Sequence, residues 1–135
     1  MSRKETREEL MKLFYQLDMT DKIEGFNAEE YVKSLEMKVD DKYFIETADN
    51  FVNNLTEIDE SIEKYSNGWK LNRIAKVDLA ILRLAVCEME YDESIPVSVS
   101  INEAVEISKK YSNSDAHKFI NGILGNLSRS KDQDS

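Results

Sequence analysis

Residues 77–125, VDLAILRLAVCEMEYDESIPVSVSINEAVEISKKYSNSDAHKFINGILG, hold most of the apolar density of the chain and decide its fold. From Val77 to Met89 only Asp78, Arg83 and Glu88 are strongly polar. Apolar side chains therefore point almost all round the cylinder, as in a helix buried at the centre of a domain. Pro96 can neither continue that helix nor donate a backbone hydrogen bond. Beyond it Val99, Ile101, Ala104, Val105 and Ile107 resume a helical stripe to Tyr111, with Ser98 or Ser100 placed to cap it. Ser114 is placed to cap a last helix, in which Ala116, Phe119, Ile120, Ile123, Leu124 and Leu127 recur at the three-and-four spacing of an amphipathic face.

Working outward from this stretch, Ser2 followed by Glu5 is a capping box. Leu10, Leu13, Phe14 and Leu17 then form the stripe of a first helix ending near Asp18. Its opposite face shows Arg3, Lys4 and Arg7, close to a helix N-terminus, where the macrodipole disfavours cations. Asn27 caps a short helix whose buried side is predicted to be Tyr31, Val32 and Leu35. Asp40 and Asp41 open a longer one that carries Phe44, Phe51, Leu55, Ile58 and Ile62. Ser66-Asn67-Gly68 breaks it, and Trp69, Leu71 and Ile74 make a short apolar turn in which the tryptophan reads as a plug over the junction of two helical halves.

No strand-like alternation lasts, so the chain is predicted to be all-α, with about seven helices in two packed bundles. A single domain spans 1–135, with an N-terminal half at 1–65, a C-terminal half at 66–129 and a frayed tail at 130–135. At 135 residues it buries about two-thirds of its unfolded surface without staples.

Composition narrows the chemistry. Cys87, the one cysteine, sits in the most apolar helix as a core residue, and one histidine, His117, excludes a multi-histidine metal site. There is no phosphate-binding glycine loop and no nucleophile elbow. We therefore expect neither a cofactor nor a metal, and no enzyme. No segment approaches the roughly 20 apolar residues of a membrane span and the N-terminus lacks a secretory signal, so a cytoplasmic protein is expected.

The net charge of −9 is concentrated in residues 18–65, with fourteen acidic against five basic side chains. Residues 108–131 hold Lys109, Lys110, Lys118, Arg129 and Lys131 against Asp115. A positive patch arises if the two ends of the chain meet, although composition alone favours a solvated helix face.

Two features need more than solvation. Arg83 and Glu88 stand about 140° apart on one helix, so each requires a partner elsewhere, which predicts a polar lock between the halves. On the last helix Asp115, Lys118, Gly122, Gly125 and Arg129 line one side, a bare strip open to a neighbouring helix or to a ligand.

Together Trp69-Lys70-Leu71-Asn72-Arg73-Ile74, Val77-Asp78, Ile81-Leu82-Arg83-Leu84-Ala85, Glu88-Met89, Ile95-Pro96, Ile101-Asn102-Glu103-Ala104 and His117-Lys118-Phe119-Ile120-Asn121-Gly122-Ile123-Leu124 resemble the NusB family of bacterial transcription-antitermination factors. Arg3-Lys4, Arg7-Glu8 and Phe14-Tyr15-Gln16 resemble that family's opening helix. The resemblance implies two small helical bundles and a binding protein without a catalytic step. Its implied partners are NusE, a ribosomal small-subunit protein, single-stranded boxA RNA of nascent ribosomal transcripts, and the transcription elongation complex.

By position the resemblance assigns Arg3, Lys4, Arg7, Asp115, Lys118 and Phe119 to RNA, and Tyr15, Met19 and Asp78 to NusE. Glu5, Glu8 and Glu9 dilute the basic N-terminus, and Phe119 reads equally as core or as a stacking ring. The alternatives are a NusB-like RNA- or protein-interaction module related to the N-terminal domain of ribosomal RNA cytosine methyltransferases, without the catalytic domain, and a homodimer that stores the protein with its RNA face hidden.

Overall fold

Seven α-helices, and no strand, form among the described residues: α1 (Arg3–Met19), α2 (Ala28–Ser34), α3 (Asp41–Asn53), α4 (Leu55–Lys64), α5 (Lys76–Tyr91), α6 (Val97–Tyr111) and α7 (Ala116–Asp134), with a single 3-10 turn at Leu71–Arg73. The computed structural model describes residues 1–134, with side chains through Asp132. No helix among them is long and apolar enough to cross a membrane.

Helix α5 is the axis. Every residue from Asp78 to Met89 is buried, and α5 packs against α1, α3 and α4 as well as α6 and α7, while α2 lies on α3. The N-terminal and C-terminal bundles thus share one helix, and their buried apolar side chains form one cluster. Phe14 of α1 stacks on Phe51 of α3 with ring centroids 3.9 Å apart. Each such ring taken from water stabilises the fold by roughly 1.5–3 kcal/mol.

Local chemistry sets the ends of the helices. Ser2 and Glu5 form the predicted capping box, each side chain meeting the other's backbone N–H at 3.1 Å. Asn27 and Asp40 cap α2 and α3. The long helix expected from Asp40 to Ile62 is instead two. At Asn54 the side-chain amide donates to the Asn50 carbonyl at 2.9 Å, and the backbone leaves helical geometry at φ −126°. Asparagine breaks the helix here by offering the backbone a local alternative.

The inward side of α2 is the predicted one: Tyr31, Val32 and Leu35 are half-buried beside the buried Ala28, and Tyr31 stacks on Phe44. Two further expectations are corrected. Neither Ser98 nor Ser100 caps α6, which begins after Pro96; Ser100 turns inward instead. At the start of α7 the Asp115 N–H donates to Asn113 Oδ1 at 3.1 Å, so Asn113 rather than Ser114 closes the turn. Helix α7 is described to Asp134, with the Ser130 hydroxyl 2.6 Å from that of Tyr65 and Lys131 3.1 Å from Glu90. Ser135 lies outside the described residues.

Candidate nucleic-acid interface

Arg83 and Glu88, buried in α5, find their partners elsewhere, as their angular separation required. Arg83 makes a bidentate pair with Asp59 of α4, both contacts at 2.9 Å, and reaches Asp18 of α1 at 3.3 Å. Glu88 accepts from Arg7 Nε at 2.8 Å, from the Ser100 hydroxyl at 2.8 Å and from the Tyr43 phenol. Four helices, α1, α3, α5 and α6, thus meet on one carboxylate. Burial pushes the Tyr43 phenol well above the usual tyrosine range and Glu88 adds to the shift, so the phenol remains a donor. Burial alone would lower the pKa of Arg7, but the Glu88 carboxylate reverses that and holds the guanidinium charged.

This lock changes the reading of the N-terminal cations. Arg7 is 5% exposed and faces the core rather than solvent, because it lies three residues before Leu10 on the buried stripe of α1. The structure thereby removes it from the exposed set. Arg3 is half-engaged: its guanidinium bonds Asp40 at 2.9 Å and covers the Tyr43 ring at 4.2 Å. Lys4 is exposed.

At the other end of the surface, the connector after α4 presents Trp69. Asn67 and Gly68 take left-handed backbone angles, φ 54° and 92°, which reverse the chain at low cost only with residues of this kind. Ser66 Oγ donates to the Trp69 carbonyl at 2.8 Å, and Glu63 accepts from the Leu71 N–H at 2.8 Å. Pinned in this way, Trp69 is 51% exposed and so does not plug the junction. It stands edge-on to Phe119, ring centroids 5.6 Å apart.

The two rings, with Arg73, Asp78, Asn113 and Asp115, line an open cavity of about 310 Å³. Phe119 is half-buried, so it serves the core with one part of its ring and the cavity with another. Lys118 and Asp115 are exposed beside it. An aromatic wedge, a guanidinium and an exposed carboxylate around a concave space can stack a base and bond its edge. Trp69 and Arg73 escaped the sequence-based site because their proximity to Phe119 depends on how α7 docks. The signal available was the apolar ring inside a Gly-bounded polar connector.

Of the residues expected to meet a protein partner, Met19 is 56% exposed and Tyr15 is half-buried. Asp78 is buried, accepts the Ser112 hydroxyl at 2.5 Å and forms the cavity floor, which withdraws it from an open contact surface. An Asp18–Lys76 pair at 3.3 Å nonetheless brings the last turn of α1 against the first turn of α5. The bare strip on α7 is only partly bare. Gly122 faces open space, while a Cβ at Gly125 would meet the Arg129 guanidinium at 3.3 Å.

Residues 4–129 match the family model described as the NusB family. The transcription antitermination protein NusB of Acetivibrio thermocellus is 44% identical over 132 residues, 97% of this chain and 91% of that protein. Among solved structures, NusB of T. maritima superposes with a TM-score of 0.83 at 30% identity, covering 96% of this chain and 92% of that one. The NusB chain of a crystal structure of antitermination factors NusB and NusE with double-stranded RNA gives 0.78 at 28% identity, covering 95% and 96%.

Proposed function

The chain belongs to the NusB family, and from that premise we infer that it is a transcription antitermination factor whose partners are RNA and the NusE protein. It is a binding protein, not an enzyme. The names of its relatives favour this over the reading as a methyltransferase-related module. The observation that carries the RNA reading is the open cavity walled by Trp69 and Phe119 with Arg73 and Asp115, on a chain that superposes on the protein of the NusB–NusE–RNA complex.

More finely, we propose that the RNA is a boxA element of nascent ribosomal transcripts, read in single-stranded form. Arg3, Lys4, Lys118, Asp115 and Phe119 would line its path, joined by Trp69 and Arg73. NusE would sit over Tyr15 and Met19, while Asp78, buried in the wall of the aromatic cavity, would contribute through the packing of α5. Two further proposals share this premise: docking of the pair on the elongation complex in the cytoplasm, and a homodimer that hides the RNA face. Sedimentation with and without NusE separates the homodimer from the monomer.

Because Arg7 is buried and Arg3 is shared with Asp40, the chain alone offers few uncommitted cations near its N-terminus. Titration of a labelled boxA RNA is therefore expected to show weak binding by this protein and a gain of tenfold or more, as an order of magnitude, when NusE supplies further phosphate contacts. Equal affinities with and without NusE would overturn cooperative binding.

Asp115 provides a second test. The Asn113 side chain accepts from the Asp115 N–H in the turn before α7, and the exposed Asp115 carboxylate lines the cavity, where it repels phosphate. A unit charge about 4 Å away is worth about 1 kcal/mol in water, so Asp115→Asn is expected to tighten RNA binding by up to about fivefold at low salt, fading as salt rises. A decrease confined to one base position would instead identify Asp115 as a base reader.

A further inference from the structure

Away from the aromatic cavity, the first two turns of α1 and the last turns of α6 enclose a second open groove of about 300 Å³, lined by Lys4, Glu8, Glu106, Ile107, Lys109 and Lys110. One N-terminal cation, Lys4, and two from the basic stretch after residue 108, Lys109 and Lys110, come together here. Three ammonium groups line the groove with two carboxylates, and Glu5 beside it also interacts with Lys110, on a chain of net charge −9. Glu8 is the inner acid, its side chain 13% exposed, and it holds Lys110 at 2.6 Å while 62% of the Lys110 side chain remains exposed. Lys109 is only loosely held by Glu106, at 3.6 Å between two exposed side chains.

Two lysines in the last turn of α6 also complement the helix dipole, which is the ordinary reason for their presence. Lys4 has no such reason. It sits in the first turn of α1, where the dipole opposes a cation, yet it lines the same groove.

A short stretch of chain links the groove to the aromatic cavity. After Lys110 the chain passes through Tyr111, whose ring lies 5.3 Å from the Lys110 ammonium and 5.5 Å from that of Lys12. It then runs through Ser112, tied to Asp78, to Asn113 and Asp115 at the cavity rim. Asp115 is the fifth residue after Lys110, so their Cα atoms are no more than about 18 Å apart, a span of about five stacked nucleotides at most.

We propose that this groove is a phosphate-binding subsite for the RNA held at the aromatic cavity, in which Lys109 and Lys110 join Lys4 on the backbone and Glu8 competes with the phosphates for Lys110. The proposal rests on the RNA reading above. Ammonium groups on flexible stems suit a run of phosphates better than one fixed anion, and the two carboxylates limit the gain from any single small anion.

The test is fluorescence-anisotropy titration of a labelled single-stranded RNA of about a dozen nucleotides against the full chain with NusE, across a salt series. Lys109→Ala/Lys110→Ala is expected to weaken binding about tenfold at low salt and to reduce the slope of log K against log salt by about 1.4, about 0.7 for each lost contact. Lys33→Ala/Lys38→Ala, the same change in net charge on the far acidic half, is expected to leave the slope unchanged. Glu8→Gln is expected to strengthen binding a few-fold at low salt only. Lys109→Ala alone keeps the Glu8–Lys110 bridge and guards against a fold defect in the double variant. An unchanged slope in both groove variants, or an equal loss in the Lys33/Lys38 control, overturns the groove while leaving the RNA reading intact. A wild-type chain that holds no RNA at any salt overturns the RNA reading, and this proposal with it.

Discussion

Replacing Glu88 with alanine is expected to destabilise the protein by about 3–5 kcal/mol, a fall of roughly 10–20 °C in Tm for a domain of this size. Glu88 is 1% exposed and its two oxygens gather donors from three other helices. Without them the Arg7 guanidinium is left charged in the core, and the Tyr43 and Ser100 hydroxyls lose their acceptor. Glu103 limits the damage: its Oε2 is buried with no hydrogen-bond partner among the described residues, beside a cavity of about 10 Å³ that Arg7 also lines. A shift of Arg7 toward it would bring the loss to the lower end of the range.

The pair Arg7→Met/Glu88→Leu is expected to be milder than Glu88→Ala, since it leaves no buried charge unpaired and only the Tyr43 and Ser100 hydroxyls without their acceptor. Thermal unfolding of the four proteins measures the coupling. Arg7→Met is expected to leave the salt slope of RNA binding unaltered, because a guanidinium enclosed by α1, α3, α5 and α6 releases no counterions. A melting change below about 1 kcal/mol for Glu88→Ala would mean that the four-helix junction is held by apolar packing alone.

The same carboxylate shows how far sequence reasoning reaches. The continuous burial of α5 was legible because three polar residues in thirteen leave no solvent face, and the need for partners at Arg83 and Glu88 followed from their angle on the helix. The identity of the partners was partly legible too. Extending the Leu10, Leu13, Phe14, Leu17 stripe backward by three and four residues lands on Arg7 and Thr6, both buried, so an arginine on a core stripe and a glutamate without a mate were complementary clues. Reading Arg7 as a surface cation gave its charge more weight than its period. The break at Asn54 was hidden because Leu55, Ile58 and Ile62 keep the helical spacing across it, and only the side-chain bond to Asn50 reveals it. The aromatic cavity was least legible. Phe119 and Trp69 are fifty residues apart in sequence, and their meeting follows from the packing of α7 on α5 and α6 rather than from any local pattern.

That meeting sets the second large effect. Trp69→Ala is expected to weaken RNA binding roughly 5- to 150-fold, the equivalent of the 1–3 kcal/mol that stacking on an aromatic side chain supplies per base. Because half of Trp69 is in solvent and its contact with Phe119 is edge-on, its removal is expected to shift stability by no more than about 0.5 kcal/mol. Phe119→Ala, by contrast, is expected to lower both affinity and melting temperature, since part of that ring packs on the core.

The dissociation of the two readouts at Trp69 separates a base platform from a structural ring, and the choice of replacement separates stacking from simple apolar contact. Trp69→Tyr keeps a π face and is expected to retain most of the affinity. Trp69→Leu keeps apolar bulk without the face and is expected to resemble alanine. Full affinity in Trp69→Leu would show that the cavity wall serves only to exclude water, and the base-reading role would then fall to Phe119 with Arg73. Unchanged affinity in both Trp69→Ala and Phe119→Ala, with NusE present, would take the RNA path off this cavity altogether.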